Sequence, residues 1–266
     1  MPASPEARSL AVFCDFENVA LGVREAKYAQ FDMDKVLERL LLKGSIVVKK
    51  AYCDWERYKE FKPAMHAASF EMIEIPHLRQ SGKNSADIRM VVDALDLCYT
   101  KQHVDTFVIV SGDSDFSPLV SKLRENAKTV IGVGVKNSSS DLLINNCDEF
   151  IYYDDLVRQD EQKRRAAKKR KEAAPTGEEK SSDKKQEAFD VVLETLNALI
   201  AERGAEEKIW ASMVKQTLKR RNPGFNESYY GFSSFSKLLD EAESRKMLQL
   251  ERDEKSGGYI VKSVAH

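Results

Sequence analysis

The run TFVIV at residues 106–110 is almost wholly apolar, and it constrains the fold more than any other feature of this chain. A strand with apolar side chains on both faces must be covered on both faces, as the central strands of parallel sheets are. A second run of this kind, TVIGVGV, follows at 129–135. We therefore expect a sheet with helices packed against both sides.

Strand-like and helix-like patterns alternate from residue 10 to residue 153. Strands are predicted at 10–14, 46–52, 70–75, 106–110, 129–135 and 150–153. Helices are predicted at 33–42, 55–70 (despite Pro63), 86–99, 118–125 and 141–146, and a polar turn is predicted after the first strand. Strands separated by helices imply right-handed crossovers and a mostly parallel sheet, so the fold class is α/β and Rossmann-like.

Composition narrows the class of protein further. The 266 residues suffice for one large or two smaller domains, and 42% hydrophobic content is ordinary for a folded chain. No apolar run approaches the roughly 20 residues that span a bilayer, and the first ten residues lack a secretory pattern. Neither the four cysteines nor the four histidines have the spacing of zinc ligands. These features predict a cytoplasmic protein.

Acidic residues follow the predicted strands at their carboxyl ends. Asp15 follows the first strand, Asp113 and Asp115 follow the fourth, and Asp87 opens the helix before the fourth. Ligands bind at this edge of a doubly wound sheet, so Asp15, Asp113 and Asp115 are expected to converge, with Asp87 on a neighbouring helix. Asp54 follows the second strand and fits a turn residue or a metal neighbour equally well.

Carboxylates gathered in one crevice repel each other and favour a hard divalent cation such as Mg²⁺ or Mn²⁺. Such an ion lowers the pKa of a coordinated water, which can then attack a phosphodiester. A lone Asp after a strand is usually a helix cap or a turn residue. The hypothesis of a metal site therefore depends on the convergence of several aspartates.

Polar residues near the aspartates fit the same chemistry. Asn18 could orient a ligand or water, and Ser111 and Ser114 could bond a carboxylate or a phosphate. Lys83 could meet a phosphate oxygen, and Gly112 permits a tight turn after the strand.

Three strings, FCDFENV, KNSADIRMVVDAL and VSGDSDFSPLV, closely resemble the NYN family of PIN-like nuclease domains over about residues 9–155. The resemblance implies a Mg²⁺- or Mn²⁺-dependent ribonuclease with a Rossmann-like sheet. It places Asp15, Asp87, Asp113 and Asp115 at the metal-binding acid positions, and Asn18 at the family's asparagine. Asp54, in AYCDW, matches a less uniform acidic position.

Other phosphoryl-transfer classes fit less well. Phosphatases of the haloacid dehalogenase type need Asp-x-Asp after the first strand, where this chain has Glu17 in the second place. A phosphate-binding loop of the Walker type is also missing from the sequence.

The remainder of the chain is interpreted as a linker and a second module. Residues 8–157 form the nuclease domain, and 158–186 form a charged linker, helical at its start, whose basic run at 163–171 fits a phosphate contact or a solvated helix. Residues 187–264 predict three helices and a two-stranded hairpin, a winged-helix pattern. The stretch YYGFSSFSKLLDEAE resembles an OST-HTH (LOTUS) domain, which implies binding of RNA, sometimes G-rich, or of a protein.

Candidate RNA contacts in this tail are basic or aromatic. They are Lys215, Lys219, Arg220, Arg221, Tyr229 and Tyr230. The sequence thus predicts a metal-dependent endoribonuclease whose tail recruits single-stranded or structured RNA. The alternatives left open are a non-catalytic RNA-binding or scaffolding adaptor that retains the acidic pocket, and a DNA nuclease.

Overall fold

The computed structural model describes residues 8–28, 30–75, 85–161, 180–204, 207–253 and 257–263. The chain divides into two compact units, Met1–Glu172 and Ala173–His266. Each unit has a hydrophobic core of its own.

The first unit is built on a six-stranded sheet. Its strands are β1 (Arg8–Asp15), β2 (Gly44–Cys53), β3 (Glu71–Glu74), β4 (Thr106–Val110), β5 (Thr129–Gly134) and β6 (Glu149–Tyr152). They lie in the order β3-β2-β1-β4-β5-β6, and every neighbouring pair is parallel. The predicted parallel α/β sheet is confirmed.

Seven helices accompany this sheet in the described part of the unit. They are α1 (Phe16–Glu25), α2 (Met33–Lys43), α3 (Lys62–Ala67), α4 (Ser85–Thr100), α5 (Ser117–Glu125), α6 (Asp141–Asn146) and α7 (residues 153–161). Short 3₁₀ turns at Lys59–Phe61 and Ser114–Phe116 precede α3 and α5.

Two helix predictions differ from the structure. The segment after β1, predicted as a polar turn, begins α1, because Asp15 caps the helix and apolar residues recur inside it. The helix predicted at 55–70 begins only at Lys62. Pro63 lies in its first turn, where a missing N–H costs nothing.

The first unit has a core on each side of the sheet. Alternate β1 side chains enter different cores: Leu10 and Val12 lie in one, and Ala11 and Phe13 lie in the other. All four are fully buried. Both faces of the central strands are therefore covered, as their apolar sequences require.

The second unit contains three helices and a hairpin. These are α8 (Lys180–Arg203), α9 (Ala211–Arg221) and α10 (Phe235–Ser244), with β7 (Leu248–Arg252) antiparallel to β8 (Tyr259–Ser263). Helix α8 begins ahead of residue 187, where the sequence indicated the start of the tail module. The basic run at 163–171 lies outside the described residues.

None of the helices in the described residues combines the length and apolar character needed to cross a membrane.

Candidate active site

The crevice forms where the strand order reverses. Strands β1 and β4 are neighbours at the centre of the sheet, and Cys14, the penultimate residue of β1, pairs with Val110, the last residue of β4. Asp15, which ends β1, and Ser111, which follows β4, therefore lie side by side at the carboxyl edge of the sheet. This is the edge at which parallel α/β sheets bind their ligands.

Asp15 is held in place by two hydrogen bonds. Its carboxylate accepts one from the backbone N–H of Asn18, at 3.3 Å, and so caps helix α1. It accepts another from the hydroxyl of Ser111, at 3.2 Å. Only 8% of Asp15 is exposed. The next residue, Phe16, packs among four aromatic rings, which anchors the start of the helix.

Ser111 links two of the predicted acids. Its hydroxyl donates to Asp15, and its oxygen accepts the backbone N–H of Asp113 at 3.2 Å. The side chain is completely buried and bonded to a carboxylate, one of its two predicted partners. The contact of Ser111 with an RNA phosphate stays a prediction.

Asn18 and Gly112 fasten helix α1 to the loop after β4. The side-chain oxygen of Asn18 accepts the backbone N–H of Gly112 at 2.9 Å. A side chain at Gly112 would meet the backbone oxygen of Ser138 at 2.4 Å. The glycine is therefore needed for close packing against a neighbouring loop. Asn18 uses its side-chain oxygen to hold the loop after β4, whereas the sequence predicted that this side chain orients a ligand or water.

The loop after β4 carries the two other predicted acids, Asp113 and Asp115. Asp113 caps the 3₁₀ turn at Ser114–Phe116 by accepting the backbone N–H of Asp115 at 2.9 Å. Asp113 and Ser114 are half-buried, and Asp115 is exposed. Asp113 and not Asp115 thus acts as the cap here.

Asp87 lies in the first turn of α4 and interacts electrostatically with the other acids. Burial and the charges of Asp113, Asp115 and Glu17 raise the pKa of Asp87 to about 6. Burial and the charges of Asp87 and Asp113 raise the pKa of Asp15 to about 7, against the opposing hydrogen bonds. The predicted acids from β1, α4 and the loop after β4 therefore belong to one acidic crevice.

Glu17 is an acid of this crevice that the sequence analysis passed over as a site residue. It contributes to the raised pKa of Asp87 and accepts from the guanidinium of Arg57 at 3.2 Å. Glu17 lies in the first turn of α1, two residues after Asp15, and this position could have indicated that it belongs to the crevice. Because α1 was not predicted, the direction of Glu17 could not be inferred.

Two predicted site residues of the first unit, Asp54 and Lys83, are not among the acids and polar groups of the crevice described above. Asp54 forms a turn after β2, accepting the backbone N–H of Glu56 at 3.2 Å, and its charge is not among the causes that raise the pKa of Asp87. The structure thus places Asp54 in the turn, one of the two readings left open. Lys83 lies outside the described residues.

The fit of a metal ion can be tested on the donors. Within the described residues, no group of three or more His, Cys, Asp or Glu side chains is arranged to hold an ion. The chemistry of the donors fits nonetheless: they are carboxylate oxygens, and burial together with the charges of neighbouring acids raises the pKa values of Asp15 and Asp87. Side chains of the crevice would have to move to reach a common ion.

The candidate RNA contacts of the second unit differ in how far their side chains are exposed to solvent. Arg221 is paired with Glu194 at 3.1 Å and its side chain is only 10% exposed. Its contact with RNA stays a prediction. Arg220 is half-buried and donates to Thr217 at 2.9 Å, and Lys215 pairs with Glu227 at 3.1 Å.

Lys219 and Tyr229 remain on the surface. Lys219 is exposed at the end of α9, and Tyr229 is 63% exposed with the ammonium of Lys184 4.8 Å from its ring centre. Tyr230 is half-buried and stacks on Phe225. Of the six candidate contacts, only Lys219 and Tyr229 are therefore exposed.

A parallel six-stranded α/β sheet with acids at the carboxyl ends of its central strands fits the PIN-like nuclease class. Residues 9–154 match the model of the NYN domain, and the chain belongs to the NYN family. Family membership implies a nuclease-like function related to RNA.

The proteins similar to this chain include one from Methanocaldococcus jannaschii and one from Vibrio parahaemolyticus. An uncharacterized protein of Methanocaldococcus jannaschii is 30% identical over 125 residues, 47% of this chain and 49% of that protein. The chain thus matches about half the length of that curated relative. A protein of unknown function from Vibrio parahaemolyticus, known from its crystal structure, is 28% identical with a TM-score of 0.51. That likeness covers 58% of this chain and 98% of the Vibrio chain.

Proposed function

We propose that this protein is an endoribonuclease that hydrolyses RNA phosphodiester bonds in the acidic crevice, with Mg²⁺ or Mn²⁺ as cofactor. The observation that carries the proposal is that Asp87 and Asp113 act on the buried Asp15 at the reversal of strand order, and Asp113 also acts on Asp87. A crevice of this charge repels phosphate, so a substrate phosphodiester requires a counter-ion.

Asp15, Asp87, Asp113 and Asp115 would hold the ion. When bound, it supplies charge neutralisation and a water of lowered pKa. The residues of the chain supply position: Ser111 and the start of α1 fix the carboxylate of Asp15, and Ser111 also fixes the backbone at Asp113. Asp115 is exposed and can face the substrate.

A second candidate function is a non-catalytic RNA-binding or scaffolding adaptor that retains the acidic crevice. It is favoured by one observation: in the part of the chain that the structure describes, no three acids are already arranged around an ion position. The two candidates differ in what a divalent ion does to bound RNA.

The test is a digestion by the full chain of single-stranded RNA, duplex RNA, single-stranded DNA and a circular RNA. We expect Mn²⁺ or Mg²⁺ to support cleavage of single-stranded RNA and opening of the circle, since only an endonuclease can cut an RNA without ends. We expect EDTA to stop both. RNA that is bound equally well in EDTA and stays intact with either metal would establish the adaptor, and preferential cleavage of DNA would identify a DNA nuclease.

We further propose that the second unit is a winged-helix module of the OST-HTH (LOTUS) type that brings RNA, single-stranded or structured and G-rich, to the crevice. Three helices followed by an antiparallel hairpin support this proposal. A protein partner for this module is the alternative, and the cytoplasmic location remains a prediction for fluorescent tagging of the full chain in cells.

Lys219 provides a test of the module. We expect Lys219→Ala to weaken RNA binding to a similar degree for all sequences, and to reduce the slope of log affinity against log salt concentration by about 1, because it removes one phosphate contact. The matched control is Lys237→Ala, on α10, whose side chain is 68% exposed. The measurement is fluorescence anisotropy of labelled RNA over a salt series in EDTA. An equal loss in both variants would point to a general charge effect and contradict the proposal.

A further inference from the structure

A groove of about 700 Å³ opens beside the acidic crevice, along the start of α4 and the start of α5. Asp87 and Asp115 belong to its wall as well as to the crevice, so the two are continuous. We call it the α4–α5 groove. Its volume lies within the range of roughly 300–1,000 Å³ that small-molecule sites occupy.

One side of the α4–α5 groove is apolar and open to solvent. This is the α4 side, where Ile88 and Val92 are 63% and 55% exposed; Leu142 from α6, which also lines the groove, is 57% exposed. Scattered exposed apolar side chains are ordinary, but a group of them lining one concave surface indicates an interaction site.

The other side carries the hydroxyl groups of Ser114, Ser117 and Ser121. Ser117 is only 6% exposed, and its hydroxyl oxygen is buried with no hydrogen-bond partner in the described part of the structure. A buried polar group without a partner costs about 1–3 kcal/mol. The groove therefore contains a hydrogen-bonding group that a polar ligand atom could satisfy.

The charge of the groove restricts its ligand. The described residues that line it include two acids and no Lys, Arg or His, so a phosphate group is disfavoured inside it. A neutral, flat group with polar edges matches both of its sides, and a nucleobase with its ribose has these properties.

We propose that the α4–α5 groove binds the nucleoside next to the phosphodiester that is cut in the crevice. This proposal rests on the proposed ribonuclease function for the position of that phosphodiester. The base packs against Ile88, Val92 and Leu142, and a polar atom of the nucleoside forms a hydrogen bond with Ser117. The groove thereby determines which nucleotide flanks the cleaved bond.

The experiment uses the full chain with ¹³C-labelled methyl groups, titrated with uridine, cytidine, adenosine and guanosine. Free nucleosides carry no phosphate, so the result depends neither on a metal nor on cleavage. We expect at least one nucleoside to shift the methyl resonances of Ile88, Val92 and Leu142 through its ring current. The methyl resonances of Val47, which is 48% exposed on β2, should stay unchanged and serve as a control.

Two groove variants and one control variant complete the test. Ser117→Ala should lower the affinity for the nucleoside by about 2- to 10-fold, the usual worth of one neutral hydrogen bond. It should not destabilise the free protein, because the lost hydroxyl has no partner. Val92→Ser should weaken binding as well, and Val47→Ser should not.

The proposal is overturned if the groove methyl groups respond to none of the nucleosides, or if Ser117→Ala binds them as well as the wild type. It is also overturned if the same resonances shift on changing the protein concentration alone, since the groove would then be covered by a second copy of the chain. If the wild-type protein binds a nucleoside but cleaves no RNA, the ribonuclease function is contradicted and nucleoside binding by the groove is not.

Discussion

Replacing Asp87 with Asn is expected to lower the rate of metal-dependent RNA cleavage by at least about 100-fold, since changes around a metal site that spare its ligands already cost about 10- to 100-fold. Asn keeps the shape of the side chain and removes the charge that would hold the ion. The fold should be unaffected or slightly stabilised, because the Asp87 carboxylate accepts no hydrogen bond from any described residue and is repelled by Asp113 and Asp115. The measurement is the initial cleavage rate at saturating Mn²⁺, together with a thermal melt.

The matched control for this variant is Asp96→Asn. Asp96 is exposed farther along the same helix, so the substitution makes the same change of charge outside the crevice. We expect it to cleave RNA at the wild-type rate. A rate for Asp87→Asn close to that of the control would mean that the cleavage comes from another site or from a contaminating nuclease.

Without divalent ions, the first unit is expected to lose stability as the pH rises from about 4 to about 7. The pKa of Asp15 is raised from 3.8 to about 7 in the folded protein by burial and by the charges of Asp87 and Asp113. Below pH 4 the folded and unfolded chains both carry the proton, so there is no difference. Between pH 4 and pH 7 the unfolded chain releases a proton that the folded chain retains, and the free energy of unfolding falls. The full effect above pH 7 is roughly 4 kcal/mol.

This loss should be smaller in Asp15→Asn, which keeps the cap of α1 and carries no charge. Only the raised pKa of Asp87 then still contributes to it. The variant is expected to be more stable than the wild type at pH 8 in EDTA, and nearly equal to it at pH 4. Mg²⁺ or Mn²⁺ should raise the stability of the wild type more at pH 8 than at pH 5, because the ion competes with the proton.

The measurement is urea unfolding followed by the fluorescence of Trp55, in the background of Trp210→Phe. Trp55 is buried beside Phe16 in the first unit, and the chain has only two tryptophans. Asp54→Asn serves as a control that keeps the pH dependence. A wild-type protein whose stability in EDTA is constant from pH 4 to pH 8 would show that Asp15 is not under this repulsion.

The sheet could be predicted because its signal is local. The β4 run TFVIV is apolar at every position after Thr106, and only a strand covered on both faces accommodates that pattern. Helix α1 carries a signal of the same kind, with Phe16, Val19, Ala20 and Val23 spaced for one face. It was missed because Asp15 and Asn18 also suit a turn.

The convergence of the aspartates could be predicted from the topology, since parallel strands end at a common edge. The burial of individual side chains could not be predicted, because it depends on partners that are distant in the chain. The buried Ser111 donates a hydrogen bond to Asp15, and the largely buried Arg221 forms an ion pair with Glu194 on another helix. Neither partner can be identified from spacing.

The hydrogen bonds around Gly112 have a consequence for how this crevice adapts. The backbone oxygen of Gly112 accepts the N–H of Ser140, and its N–H donates to Asn18, so the segments after β1, β4 and β5 are tied together. Asp15 and Asp113 are fixed on this assembly, whereas Asp87 stands on a separate helix with its carboxylate unbonded by described residues. Under the proposed function, bringing the carboxylates together around a cation requires a movement of α4, and the rate of that movement would limit how quickly the ion is bound.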